Sequence, residues 1–70
     1  MPYETLIADF IVTNPAERDM MLRSALSTAK ANAAVQGKRG ILVTRHDLQR
    51  FSVSLTPNVP YGYIHELDQA

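Results

Sequence analysis

Between Arg39 and Leu55 the chain carries two adjacent runs of strand-forming residues, Ile41-Leu42-Val43-Thr44 and Phe51-Ser52-Val53-Ser54-Leu55, joined by the polar segment Arg45-His46-Asp47-Leu48-Gln49-Arg50. This pattern reads as a β-hairpin, and it constrains the fold more than any other stretch. Ile41, Val43, Phe51, Val53 and Leu55 are all odd-numbered, and alternate residues of a strand share a face. They therefore form one apolar surface, while Thr44, His46, Ser52 and Ser54 fall on a second face expected to be wet. Opposed residues also share a face, so joining odd to odd needs a loop with an odd number of residues unless a bulge intervenes. Asp47-Leu48-Gln49 meets that condition, with Val43 opposite Phe51 or Val53. No glycine stands in this loop, so Asp47 is expected to supply its local hydrogen bonds. Leu42 and Leu48 do not fit the apolar face.

Upstream, Tyr3, Leu6, Ile7, Phe10 and Ile11 recur at helical spacing, whereas a strand over the same residues mixes polar and apolar side chains on both faces. The pattern predicts a first helix from Pro2 to about Val12 or Thr13. Asn14-Pro15-Ala16-Glu17 then opens a second helix: Asn14 can cap, Pro15 loses nothing at the first helical position, and Glu17 can reach back. That helix is expected to run to about Gln36, with Gly37 closing it in the left-handed conformation. Leu22, Ala25, Leu26, Ala29 and Ala33 form its apolar stripe, and Met20 and Met21 join the core. Beyond the hairpin, Pro57 and Pro60 stop pairing. The tail from Tyr61 reads as extended and then frayed, with Tyr61 and Tyr63 buried against the hairpin or the first helix.

These elements give a single α+β domain over residues 1–70, two helices followed by an antiparallel β-hairpin, to which the tail can add a third short strand. A chain of this size buries only about 60% of the surface its unfolded form exposes, so a partner would help stabilise it. There is no cysteine, no basic leader and no long apolar run, which points to a cytoplasmic protein that does not enter a membrane. The formal charge is zero but unevenly placed: residues 1–19 are acidic, and residues 36–50 are basic through Lys38, Arg39, Arg45 and Arg50.

His46-Asp47 and His65-Glu66 each place an imidazole next to a carboxylate. Neighbouring side chains on a strand point to opposite faces, so these read as surface histidines. Ser52 and Ser54 lack a nucleophile elbow. No catalytic residue, metal or cofactor is expected. The function that fits best is a small, non-enzymatic, cytoplasmic interaction module that self-associates and binds a macromolecular partner. The expected homodimer contact is a flat strip on the long helix made by Leu22, Ala25, Ala29 and Ala33, where a second helix can approach closely. The alternative is a nucleic-acid-binding protein that lays the basic hairpin, through Lys38, Arg39, Arg45 and Arg50, against phosphates.

Overall fold

The computed structural model, which describes residues 4–35 and 39–69, places the two strand-forming runs at the centre of a four-stranded sheet. In chain order the elements are β1 (Thr5–Ile11), α1 (Pro15–Val35), β2 (Gly40–Arg45), β3 (Arg50–Thr56) and β4 (Ile64–Asp68). The sheet order is β1-β3-β2-β4. β3 is antiparallel to both of its neighbours, and β4 is parallel to β2. Among the described residues the architecture is α+β, with one helix lying on one face of a mixed sheet.

The hairpin follows the parity of its sequence. Val43 stands opposite Val53 and Ile41 opposite Leu55. The turn closes with the His46 N–H donating to the Arg50 carbonyl at 2.9 Å. Within the loop, Asp47 Oδ1 accepts from the backbone N–H groups of Gln49 and Arg50, both at 2.8 Å. The side chain thus does the work of the missing glycine.

The first helix expected from the sequence is instead strand β1, and a bulge explains why its pattern resembled a helix. Leu6 pairs with Ser54 and Ala8 with Val53, leaving Ile7 extra. Ile7 and Ala8 both pack against the core under α1, so two successive residues look to one side and the period of two is broken. Phe10 then stacks on its cross-strand partner Phe51, with ring centroids 6.0 Å apart. Such a pair is worth about 0.5–1.5 kcal/mol beyond its burial.

α1 begins where its punctuation indicates. Asn14 Oδ1 accepts from the Glu17 N–H at 2.8 Å, and Glu17 Oε1 accepts from the Thr13 N–H at 3.0 Å. Its expected end at Gln36 and Gly37 lies outside the described residues. Ala25, Ala29 and Ala33 face the sheet, and Leu22 and Leu26 pack partly buried at the margin. Small side chains let the helix lie close to Val53 and Leu55, which are fully buried. Met20 and Met21, assigned to the core from sequence, are exposed. They precede the alanine stripe near the start of α1, where Met21 still borders a small hollow with Ile7, Ala8 and Phe10 of β1.

The tail forms a fourth strand. β3 ends beside the start of β2, so residues 57–63 need only pass over that end to set β4 on the far side of β2, pointing the same way. Gly40 makes this passage possible: its N–H donates to the Val59 carbonyl at 2.8 Å. A side chain at residue 40 would meet that carbonyl inside van der Waals contact and come within 2.6 Å of the Pro60 oxygen. Tyr61 and Tyr63, expected to be buried, are exposed. Gly62 turns there at φ 92°, and the two rings border an open hollow beside α1.

Two substitutions test this account. Asn14→Ala should cost about 1 kcal/mol in urea denaturation, the usual value of a lost N-cap, whereas Asn58→Ala should cost little. Gly40→Ala should destabilise more than Asn14→Ala, because backbone oxygens rather than flexible side chains would have to move.

Candidate interaction face

The sheet has a second face, which no described residue covers. Its side chains form rows across the strands because opposed residues share a face. One row is Leu6, Ser54, Leu42 and His65; the next is Asp9, Ser52, Thr44 and Leu67. The sequence reading expected this face to be wet, but Thr44, Ser52, Ser54 and Thr56 are all buried. They are small, they sit on the two central strands, and longer neighbours overhang them. Leu6 and Ile11 on β1 and Leu67 on β4 are left 61%, 68% and 40% exposed.

The overhanging side chains enclose two adjoining hollows. One, of about 320 Å³, lies over Thr44, Ser52 and Ser54; the other, of about 550 Å³, runs toward Thr56, Asn58 and Pro60. Glu4, Leu42 and Leu67 border both. The floor is hydroxyl and the rim is leucine.

The polar groups of this face are bound to one another. His46 Nε2 and Ser52 Oγ share a hydrogen bond at 2.8 Å, and the Ser54 hydroxyl donates to Glu4 Oε1 at 3.3 Å. Arg50 grips Asp9 with two hydrogen bonds, Nε to Oδ1 at 3.2 Å and Nη2 to Oδ2 at 2.8 Å. That guanidinium holds the Asp9 carboxyl below the usual carboxylate range, and the carboxylate in turn raises Arg50. Asp47 is lowered as well, by the two backbone N–H groups of its turn.

The His46–Ser52 contact has the spacing of a base and a nucleophile, but not the surroundings that acyl transfer needs. Ser52 lies mid-strand in β3, whose backbone is paired to β1 on one side and β2 on the other. Its neighbouring N–H groups are held by the ladders and cannot form an oxyanion hole. Among the described residues, no group of three His, Cys, Asp or Glu side chains stands close enough to hold a metal ion. None of their helices is long and apolar enough to cross a membrane.

The sequence-derived sites are dispersed by the fold. Ala25, Ala29 and Ala33, 7%, 0% and 3% exposed, are taken up by the sheet of their own chain, and Leu22 lies at the edge of the same core. The strip named for self-association is therefore not a free surface. Of the basic set, Lys38 lies outside the described residues and Arg39 is half-buried at the start of β2. Arg45 Nη1 stands 3.5 Å from Asp68 Oδ2, and Arg50 is bound to Asp9. Leu6, Ile11 and Leu67 were not singled out as a surface, because their coming together depends on strand order. Comparison with known proteins finds no matching family model, no similar curated protein and no similar solved structure.

The lowered carboxyls set a pH dependence. A group whose folded pKa is depressed contributes stability above its unfolded value, near 4, and loses it as pH falls through the folded value. Stability should therefore drop on the acid side of pH 4. Asp9→Asn combined with Asp47→Asn should flatten that drop in denaturation curves taken from pH 6 to pH 2.

Proposed function

We propose that this chain is a non-enzymatic interaction module whose uncovered sheet face docks onto the same face of a second copy. The observation that carries the reading is the set of exposed leucine and isoleucine side chains, Leu6, Ile11 and Leu67, standing around a buried hydroxyl floor. A sheet with one apolar-rimmed face open is half of a layered structure, and a second sheet completes it at about 10 Å.

Size and shape favour a copy of the chain as the occupant. Four strands span about 19 Å, twice the width of a helix at about 10 Å, so a sheet of equal width fits the face where a single helix covers half. A two-fold axis parallel to the strands sets β1 over the partner's β4 and β3 over its β2. In that arrangement Leu42 meets the place of Ser54, Leu6 that of His65, and Leu67 that of Asp9, according to the rows of the sheet. Large side chains then stand over small ones in the central strands, as interdigitation of packed sheets requires. The footprint is on the order of 19 × 20 Å, or ~400 Å² per copy in projection. Standard interfaces bury ~800 Å² per partner. The accessible area of a ridged face exceeds its projection, so the expected dimer is reversible and concentration-dependent. The basic hairpin supports a nucleic-acid reading less well, since both Arg45 and Arg50 already face carboxylates.

Sedimentation equilibrium from micromolar to millimolar chain tests this proposal. The expected result is a mass that rises toward two chains, and a single-chain mass throughout for Leu6→Asp, whose side chain is 61% exposed and carries little of the fold. A single-chain mass for the unaltered protein at millimolar concentration, or a dimer indifferent to Leu6→Asp, would sink the idea.

A further inference from the structure

Both histidines of the chain, His46 and His65, stand on the uncovered face of the sheet, in different settings. His46 closes the hairpin opposite Arg50, where its N–H donates to the Arg50 carbonyl. It adds one more row to that face: Ile11, Arg50, His46 and Gln69, the last held by the hydrogen bond from its N–H to the Arg45 carbonyl. The imidazole is half-buried, lines the hollow over Thr44, Ser52 and Ser54, and shares its hydrogen bond with Ser52 Oγ at 2.8 Å. His65 lies exposed on the edge strand β4.

We propose that His46 is a proton-operated release for the dimer: the two copies dock while this imidazole is neutral and part when it is protonated. The inference rests on the face-to-face docking proposed above and adds its regulation.

The reason is what the second copy brings. A two-fold axis parallel to the strands preserves height along them, so each row meets its own counterpart in reverse order. β2 then lies against the partner's β3, and His46 meets the place of the partner's Arg50, twice over in one dimer. A guanidinium does not lose its charge in a protein. The Asp9 carboxylate that it binds belongs to β1, one strand further out, so the positive group is the nearer one to the imidazole. Docking also removes water from the hollow, which raises the cost of an ion there.

Within its own chain, the charged groups around His46 are Arg50 and Asp9 on the face, Asp47 in the loop, and Glu4, which borders the same hollow. The three carboxylates are engaged: Asp9 by Arg50, Asp47 by the N–H groups of Gln49 and Arg50, and Glu4 by the Ser54 hydroxyl. Arg45 and Asp68 lie on the helix side, in register with Phe51. None of these changes on docking, so the added guanidinium decides the sign. The dimer binds fewer protons than two free copies, and it gains as pH rises through the range of about pH 5 to 8 in which histidine changes charge. His65 meets the partner's Leu6 at the open margin, where water still reaches it.

Sedimentation equilibrium at pH 8 and pH 5.5 tests the switch, with circular dichroism to show that the fold is the same at both. The dimer dissociation constant should rise by roughly tenfold or more at the lower pH. His46→Gln, which keeps a neutral hydrogen-bonding group beside Ser52, should hold the dimer equally at both values, and His65→Gln should leave the pH dependence as it is. His46→Lys, charged at both, should give a single-chain mass at pH 8. A dimer of equal strength at both values, a pH dependence that survives His46→Gln or vanishes with His65→Gln, or a His46→Lys dimer at pH 8 would overturn the switch and leave the docking face standing. A single-chain mass for the unaltered protein at pH 8, or a dimer there that ignores Leu6→Asp, would remove both.

Discussion

Strand β3 is the member on which the rest of the structure depends, because it is hydrogen-bonded along both edges and buried on both faces. Its odd-numbered side chains, Phe51, Val53 and Leu55, lie under the helix, and Val53 and Leu55 are wholly removed from solvent. Each contributes about 1.5–3 kcal/mol by burial, a large share of what a domain this small can hold in reserve. After Arg50, its even-numbered side chains, Ser52, Ser54 and Thr56, are hydroxyls, small enough to be roofed by the leucines and the glutamate of neighbouring segments. Both neighbours of β3 are positioned by it, and through β2 so is β4.

A central strand with two different faces produces two different surfaces. On the helix side the alanines of α1 fit closely against β3 and leave β4 uncovered, since one helix is half as wide as four strands. On the other side no layer is present among the described residues, and the most exposed apolar side chains, Leu6, Ile11 and Leu67, stand on the two edge strands, with Leu42 between them on β2. The two surfaces are chemically distinct. The first is a hollow between α1 and β4 floored by Ile41 and Ile64, and the second is a broad face on which Arg50 binds Asp9, His46 binds Ser52 and Ser54 binds Glu4.

Charge is arranged in the same economical way. Arg50 and Asp9 bind across β3 and β1, and Arg45 and Asp68 lie across β2 and β4, so the basic hairpin and the acidic segments of the chain meet within the sheet. These pairs are exposed and add little stability individually. Their consequence is for binding, since the guanidinium groups that a phosphate backbone would use already face carboxylates.

What the sequence by itself determined was local. The parity of Ile41, Val43, Phe51, Val53 and Leu55 specified the hairpin face and its odd-length loop, Asp47 specified how that loop is stitched, and Asn14-Pro15-Glu17 specified the start of α1. Each depends on groups a few residues apart or on a fixed alternation, which a chain carries wherever it goes. Tertiary structure decided the rest. β1 is a strand because β3 offered it a ladder and a bulge at Ile7 reconciled its pattern with that ladder, overriding the helical spacing of Leu6, Ile7, Phe10 and Ile11. The alanine stripe became core rather than contact surface because the sheet reached it first within the same chain. Leu6, Leu42 and Leu67, far apart in sequence, share one face because the strand order β1-β3-β2-β4 puts them there. Strand order is fixed by the burial of β3 between two partners, a long-range gain in free energy that no local window of residues contains.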